Sequence, residues 1–135
     1  MPIATNVKQK SNNSSNLLKM IHQSSKALLS AYNDKSASYC TSFYEQIAII
    51  ECDDQKLFMG TNEIFLFWKT FLNKQLGQAA FYGLKYDFIS LSSISTTSEW
   101  LLADKSRVRF DETWTIQSGD QVLIAQQAIK LIPAQ

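Results

Sequence analysis

The stretch at 58–72, FMGTNEIFLFWKTFL, constrains the fold most, because it joins a glycine turn to a short helix rich in aromatic side chains. Gly60 can adopt the positive φ that ends an incoming extended segment, and Thr61 offers a side-chain oxygen to cap a first helical turn. A helix is therefore predicted to start at Thr61 or Asn62. One face of this helix carries four apolar side chains at helical spacing: Ile64, Phe67, Trp68 and Phe71. Such a face requires a broad apolar surface to pack against.

The chain before this helix is predicted to be mostly helical. Residues 1–15 are largely polar and cannot offset the entropy of ordering, so a flexible tail is expected there, followed by a single domain at 16–135. Helical spacing of apolar residues predicts a long first helix at 17–32 and a short second helix at 37–43. The β-branched run that follows, at 47–50, predicts a strand.

The chain after the aromatic helix is predicted to consist of long strands. Alternating or β-prone patterns indicate four of them, at 81–91, 99–103, 107–117 and 121–132. The apolar parity of the first one shifts near Phe88 and Ile89, which indicates a β-bulge or a bend. Helices followed by strands predict an α+β domain, in which a curved, antiparallel or mixed sheet wraps around three N-terminal helices.

Composition argues against several functional classes. Thirteen Lys and Arg balance twelve Asp and Glu, and without a basic stretch no nucleic-acid partner is expected. No apolar run approaches the roughly 20 residues of a membrane span and the first residues lack a signal-peptide core, so a cytoplasmic protein without membrane association is expected. Cys40 and Cys52 lack metal-ligand spacing and are expected to be reduced, and His22 is expected at the surface. No metal or cofactor is expected.

Two glutamates interrupt apolar faces of predicted strands and are the candidate catalytic residues. Glu112 shares the face of Phe110 and Trp114, where desolvation raises the pKa of a carboxyl and keeps it protonated as a hydrogen-bond donor or general acid. Glu51 continues the apolar face of the strand at 47–50, where a pocket mouth leaves it ionised as a base. The alternative for each is a carboxylate at the rim of the domain, paired with a nearby Lys or Arg.

Large aromatic side chains are the candidate pocket lining. The set combines the aromatic face of the third helix with one residue from the first helix and one from a late strand: Phe67, Trp68, Phe71, Tyr32 and Trp114. Rings at helical spacing also form ordinary hydrophobic cores, so both interpretations stay open at this stage.

The segments GTNEIFLFW and FDETWTIQSGDQV, together with the order of elements, resemble the nuclear transport factor 2-like superfamily of cone-shaped α+β domains, and within it the SnoaL-like and ketosteroid-isomerase-like branch. The resemblance covers nearly the whole chain beyond the tail. It implies that Glu51 occupies the position of the isomerases' base and Glu112 that of their protonated acid. Ala27 falls where those enzymes carry the tyrosine of the oxyanion hole, and Tyr32 does not replace it, which argues against a standard steroid isomerase.

The residues and the resemblance support two functional hypotheses. The first is acid-base chemistry, such as isomerisation or cyclisation of a small apolar carbonyl compound, with Glu51 as base and Glu112 as acid. The second is a non-catalytic module for ligand binding or dimerisation. A homodimer is expected through the outer face of the sheet, formed by Thr113, Thr115, Gln117, Gln127 and Leu131.

Overall fold

The computed structural model describes residues 2–88, 90, 92–118 and 121–134, with side chains from residue 16 onwards except at 88. The described elements are, in chain order, α1 (Pro2–Asn33), α2 (Ala37–Thr41), β1 (Tyr44–Cys52), β2 (Leu57–Met59), α3 (Gly60–Asn73), β3 (Ala79–Phe88), β4 (Ser93–Leu102), β5 (Arg107–Gln117) and β6 (Gln121–Ile132). Along these residues, no helix combines the length and the apolar character that crossing a bilayer requires.

The strands form one mixed sheet in the order β2-β1-β6-β5-β4-β3. β1 and β6 run parallel, and the other neighbouring pairs are antiparallel. Contacts join α3 to β1, and α1 to β3 and β6. We call the side of the sheet that carries the buried side chains its inner face and the opposite side its outer face. The predicted α+β architecture, with a sheet around N-terminal helices, is confirmed.

Several strands differ from their predicted extents: β1 starts at Tyr44, three residues before the prediction, and β3 at Ala79, two residues before it. β2 has only three residues and pairs with β1, which makes it too short to be recognised from periodicity. β4 starts at Ser93, six residues before the predicted start. The first part of this strand was not predicted because its buried positions include the small polar side chains of Thr96 and Ser98. An alternation of buried and exposed positions therefore exists there without an alternation of apolar and polar residues.

The aromatic helix α3 starts at Gly60, whose φ is +85°. The predicted cap by Thr61 is wrong, because the Thr61 side chain makes no capping hydrogen bond. The Glu63 carboxylate instead accepts a hydrogen bond of 2.9 Å from the backbone N–H of Met59, and it also complements the positive end of the helix dipole. The four apolar side chains predicted for one face of this helix are all buried.

The first helix, α1, has helical backbone from Pro2, upstream of the predicted start at 17. Among its described side chains, which start at residue 16, the buried apolar ones include Leu17, Ile21 and Leu28, and these match the predicted packing face. The flexibility of residues 1–15 and the domain start at 16 stay predictions.

A β-bulge in β6 decides which side chains of that strand face the core. Thr113 pairs with Gln126 but Trp114 pairs with Ile124, so Ala125 is one extra residue in β6. The extra residue reverses the parity of the strand beyond it and turns Gln127 to the inner face, where it is 2% exposed. The predicted outer-face position of Gln127 is therefore wrong.

Of the other residues predicted for the outer face, one lies on the inner face and three lie on the outer face. Leu131 lies on the same side as Gln127 and pairs with the buried Val108, so its predicted outer-face position is also wrong. Thr113 and Thr115 flank the buried Trp114, and the amide of Gln117 donates to the hydroxyl of Thr115 at 2.8 Å, so these three side chains do lie on the outer face. In β3 the register shifts between Phe81 and Gly83 rather than near Phe88, and Ile89 lies outside the described residues.

Candidate functional site

Glu112 is a carboxyl group inside the hydrophobic core. It lies on the inner face of β5 between Phe110 and Trp114, as the alternation predicts, and only 4% of its surface is exposed. The alternative of a rim carboxylate paired with Lys or Arg does not describe it. Among the described residues, the salt bridges are Lys56–Asp54, Arg107–Glu99 and Arg109–Asp111, and none involves Glu112.

One chain of hydrogen bonds reaches Glu112 from α3. The indole Nε1 of Trp68 donates to the hydroxyl of Tyr44 at 3.2 Å, and this hydroxyl donates to Oε1 of Gln127. The amide Nε2 of Gln127 then donates to Oε2 of Glu112 at 2.5 Å. Gln127 can make this contact because the bulge in β6 places it directly opposite Glu112 on the inner face.

A second chain of hydrogen bonds reaches the other carboxyl oxygen. Trp114 Nε1 donates to Oγ1 of Thr96 at 3.0 Å, and this hydroxyl donates to Oε1 of Glu112 at 3.3 Å. Since an indole N–H can only donate, Tyr44 and Thr96 each accept from their tryptophan, and the proton of each hydroxyl is available for the next bond. Both chains therefore end with a donor pointing at Glu112, an arrangement that suits an ionised carboxylate.

Desolvation opposes these donors. Burial raises the pKa of Glu112 from its ordinary 4.5 to about 7, and the hydrogen bonds from Gln127 and Thr96, together with the nearby indole N–H of Trp114, offset part of that effect. No cation contributes to lowering the pKa of this carboxyl. Burial also raises the pKa of the Tyr44 hydroxyl well above its ordinary value, so Tyr44 stays a neutral donor. Glu112 is thus a group that can gain or lose a proton near neutral pH.

The structure does not bring Glu51 to this site. Glu51 is exposed on the outer face of β1, paired with Leu57 and Ala128, whereas Glu112 is on the inner face. The prediction that Glu51 continues the core-facing side of this strand is wrong. Three of the four residues at 47–50 are isoleucine, so the pattern does not show which side faces the core. Ile47 is 84% exposed, and Ala48 and Ile50 are the core residues.

A shallow depression of about 400 Å³ on the outer face includes both Glu51 and Glu112 in its wall. The side chains of its neighbours Asp111 and Thr113 point into that depression, and Glu112 is part of the wall because it lies between them on β5. The carboxyl of Glu112 is hydrogen-bonded on the opposite side of the sheet. The depression is therefore not a pocket shared by the two carboxyl groups.

The predicted pocket-lining rings form the core instead. Trp68 and Trp114 are almost fully buried, and Phe67 and Phe71 stack with ring centroids 5.6 Å apart. The ring of Tyr32 lies 5.1 Å from that of Trp100, and its hydroxyl donates to the carbonyl of Gly77 at 2.8 Å. Of this set, only Tyr32 borders one of the described pockets, a cleft at the ends of α1 and α3.

A groove of about 680 Å³ lies between α1 and the edge strand β3 and is the largest of the described pockets. We call it the α1–β3 groove; its lining residues are Leu18, Lys19, Ile21, His22, Lys26, Phe81, Gly83, Leu84, Tyr86 and Thr96. Thr96 belongs both to this lining and to the hydrogen bonds of Glu112. The groove is therefore bordered by a residue whose hydroxyl is hydrogen-bonded to the buried carboxyl.

Sequence reasoning missed the polar partners Tyr44, Thr96 and Gln127, as well as Ser25. Ser25 lies one helical turn from Ile21 on the buried side of α1, and its hydroxyl has no hydrogen-bond partner among the described residues. A serine within an apolar stripe of helical period is a signal that could have identified it. In the described part of the chain, no cluster of His, Cys, Asp or Glu is suited to hold a metal ion.

Comparisons with known proteins support the fold. No family model matches the sequence, and no curated protein matches it either. Among solved structures, LinA superposes with a TM-score of 0.75 at 10% identity, covering 92% of this chain and 91% of LinA. A protein of unknown function from Shewanella oneidensis, described as NTF-2 like, gives 0.68 at 15% identity, over 87% of this chain and 98% of the other.

A third structure is a protein from Catenulispora acidiphila in complex with S-DNPA, with a TM-score of 0.71 and 12% identity over 87% of this chain and 94% of that one. At these identities the likeness concerns the fold. The chain has the nuclear transport factor 2-like fold that its sequence predicts.

Replacing Glu112 by glutamine tests the ionisation of the buried carboxyl. The folded pKa is raised above the unfolded one, so the folded protein binds the extra proton and stability is lost as pH rises from about 4.5 to about 7. Between pH 5 and pH 8 the wild type should lose roughly 2 to 3 kcal/mol relative to Glu112→Gln, since one pKa unit corresponds to about 1.4 kcal/mol. Urea unfolding at both pH values measures this difference.

The exposed Glu51→Gln is the matched control and should follow the wild type at both pH values. If Glu112→Gln is more strongly destabilised at pH 8 than at pH 5, the carboxylate is stabilised by its surroundings and its pKa is not raised.

Proposed function

We propose that this protein binds a small, largely apolar molecule in the α1–β3 groove, with Glu112 as an ionisable group behind the groove wall. The observation that carries the proposal is that Thr96, a residue of the groove lining, donates a hydrogen bond to a buried carboxyl that forms no salt bridge among the described residues. Binding sites combine apolar walls with a few placed polar groups, and groups with strongly shifted pKa values cluster at such sites. Burial disfavours the ionised form of such a carboxyl, which lowers the stability of the folded protein at neutral pH.

The groove wall is suited to a flat molecule. Phe81 and Tyr86 on β3 face Leu18 and Ile21 on α1 across it, and Leu84 lies between the two aromatic residues along β3. Tyr86 is 56% exposed, so a ligand can remove a large ring from water when it enters. Apolar area removed from water contributes about 25 cal/mol per Å², so this ring alone supplies a useful part of the binding free energy.

The catalytic form of this proposal is acid-base chemistry on an apolar carbonyl compound. When Glu112 is ionised, the Thr96 hydroxyl donates its hydrogen bond to the carboxylate. Thr96 can then offer a ligand only a lone pair as an acceptor. When Glu112 is protonated, its proton can point at Thr96, and the Thr96 hydroxyl becomes free to donate to a carbonyl oxygen. Glu112 then acts as the proton source and Thr96 as the group in contact.

Ligand binding without catalysis is the form that the geometry supports better. Isomerisation through two carboxyl groups needs both at one substrate, and Glu51 lies on the other face of the sheet. The role of Glu51 as a base therefore has no support from its position, whereas the groove and its link to Glu112 serve a binding protein equally well.

Fluorescence titration with the neutral probe N-phenyl-1-naphthylamine tests the binding site. The wild type is expected to bind one equivalent with micromolar affinity, and Leu84→Trp, which adds bulk to the groove wall, should weaken binding about tenfold or more. Leu57→Trp places the same ring on the outer face, where Leu57 is 53% exposed, and should bind as the wild type does. Equal weakening by both substitutions, or none by Leu84→Trp, would place the probe elsewhere.

A second proposed property is a homodimer through the outer face of the sheet. Support comes from exposed apolar side chains at the β1–β2 end of that face, where Ile47 is 84%, Leu57 53% and Met59 55% exposed. Leu57 lines the same outer-face depression as Thr113, one of the polar residues predicted for the interface. Contiguous exposed apolar groups on a sheet are typical of interaction surfaces.

Charge introduced into this outer-face cluster should break the dimer. The wild type should sediment as a dimer at micromolar concentration, and Leu57→Arg as a folded monomer, because burying an unpaired guanidinium is costly. Leu66→Arg on α3, where Leu66 is 56% exposed, is the matched control and should stay dimeric. A monomeric wild type at that concentration would refute the dimer.

A further inference from the structure

Two lysines and a histidine follow one side of the α1–β3 groove. Lys19, His22 and Lys26 are spaced i, i+3 and i+7 along α1, which puts them on one helix face, and all three line the groove. No Asp or Glu is part of the lining. Asp87, the acid of β3, pairs across the sheet with Ser95 on the outer face and is therefore directed away from the groove.

Two of these side chains are held against the aromatic wall. The ammonium of Lys26 lies 6.0 Å from the ring centroid of Phe81, and the imidazole of His22 lies 5.5 Å from the same ring. Among the described residues, neither Lys19 nor Lys26 takes part in a salt bridge. The mouth of an apolar groove is thus lined with positive charge that no acidic side chain of the described chain neutralises.

We propose that the ligand is an aromatic or otherwise flat apolar molecule that carries one carboxylate. Its apolar body lies against Phe81, Leu84 and Tyr86, and its carboxylate lies at the groove mouth near Lys19 and Lys26. This inference rests on the proposed function, since it assigns the ligand class of the same groove. Charge complementarity distinguishes it from a neutral ligand, because a neutral molecule uses the apolar wall but leaves the two ammonium groups without a counter-charge.

The same geometry limits the polar group at the inner end of such a ligand. With Glu112 ionised, Thr96 donates to Glu112 and accepts from Trp114, and its remaining lone pair can only accept. A hydroxyl or N–H at the inner end finds a partner there, whereas a carbonyl does not. At a pH above the pKa of Glu112, the ligand is therefore an apolar carboxylate with an apolar or hydroxyl-bearing inner end.

Isothermal titration calorimetry at pH 8 and low salt with three probes of equal length tests the charge. The probes are 3-phenylpropionate, 3-phenylpropan-1-ol and 3-phenylpropylamine. The carboxylate should bind about tenfold tighter than the alcohol and the amine more weakly than the alcohol, and 0.5 M sodium chloride should bring the carboxylate and the alcohol within about twofold of each other. Tightest binding by the amine would overturn the proposal.

The double variant Lys19→Met/Lys26→Met keeps the long side chains and removes both charges. It should weaken binding of the carboxylate about tenfold and leave the alcohol within about twofold of the wild type. Lys69→Met is the matched control, because Lys69 also lies over an aromatic ring, that of Phe65 at 5.9 Å, but on α3 outside the groove. Lys69→Met should bind all three probes as the wild type does.

The outcomes separate the two proposals. If the alcohol binds in the groove and the carboxylate binds no tighter, the carboxylate assignment is refuted and the binding function stands. If none of the probes binds to the folded wild type, and N-phenyl-1-naphthylamine does not bind either, both proposals fail together.

Discussion

The carboxyl group of Glu112 is held in a water-poor core by neutral donors alone, and most of the functional geometry depends on that arrangement. Burial disfavours the charged form, while two chains of hydrogen bonds, each starting at an indole N–H, deliver a donor to each carboxyl oxygen. Burial is the larger effect and the donors offset part of it, so the pKa of Glu112 is raised from 4.5 to about 7. A cation in the core would have fixed the charged form, and the absence of donors would have fixed the neutral form.

This balance depends on backbone geometry far from any functional motif. Gln127 reaches Glu112 only because Ala125 is an extra residue in β6 and turns the strand beyond it over. Without the extra residue, the pairing of Trp114 with Ile124 would place Gln126 opposite Glu112 and turn Gln127 to the outer face. The bulge therefore decides which of two consecutive glutamines joins the chain from Trp68 and Tyr44. A polar partner at this position matters, because an unpaired buried hydroxyl and an unpaired carboxyl oxygen each cost about 1 to 3 kcal/mol.

Much of the fold and part of the site could be predicted from the sequence. Long, strongly periodic segments fix the identity of α3 and β5, because large apolar side chains at regular spacing must face one core, and Glu112 was identified by the same alternation. Its partners were not, since Tyr44, Thr96 and Gln127 come from three other strands and meet it only through registers that involve residues far apart in the chain. The predicted face of Glu51 is wrong because a run of isoleucines does not show which of its side chains point to the core. The α1–β3 groove was missed because helix–strand proximity carries no local signal.

A direct titration of the Glu112 carboxyl tests the central claim. The δ-carbon resonance of Glu112, assigned by its disappearance in Glu112→Gln, reports the protonation of this one group by ¹³C NMR. A midpoint near pH 7 is expected, together with a smaller shift of the Trp68 and Trp114 indole N–H signals over the same range, since both start the chains that end at this carboxyl. A midpoint at or below the ordinary 4.5 would mean that the donors outweigh burial and that Glu112 stays ionised throughout, which would contradict a proton-exchanging group behind the groove.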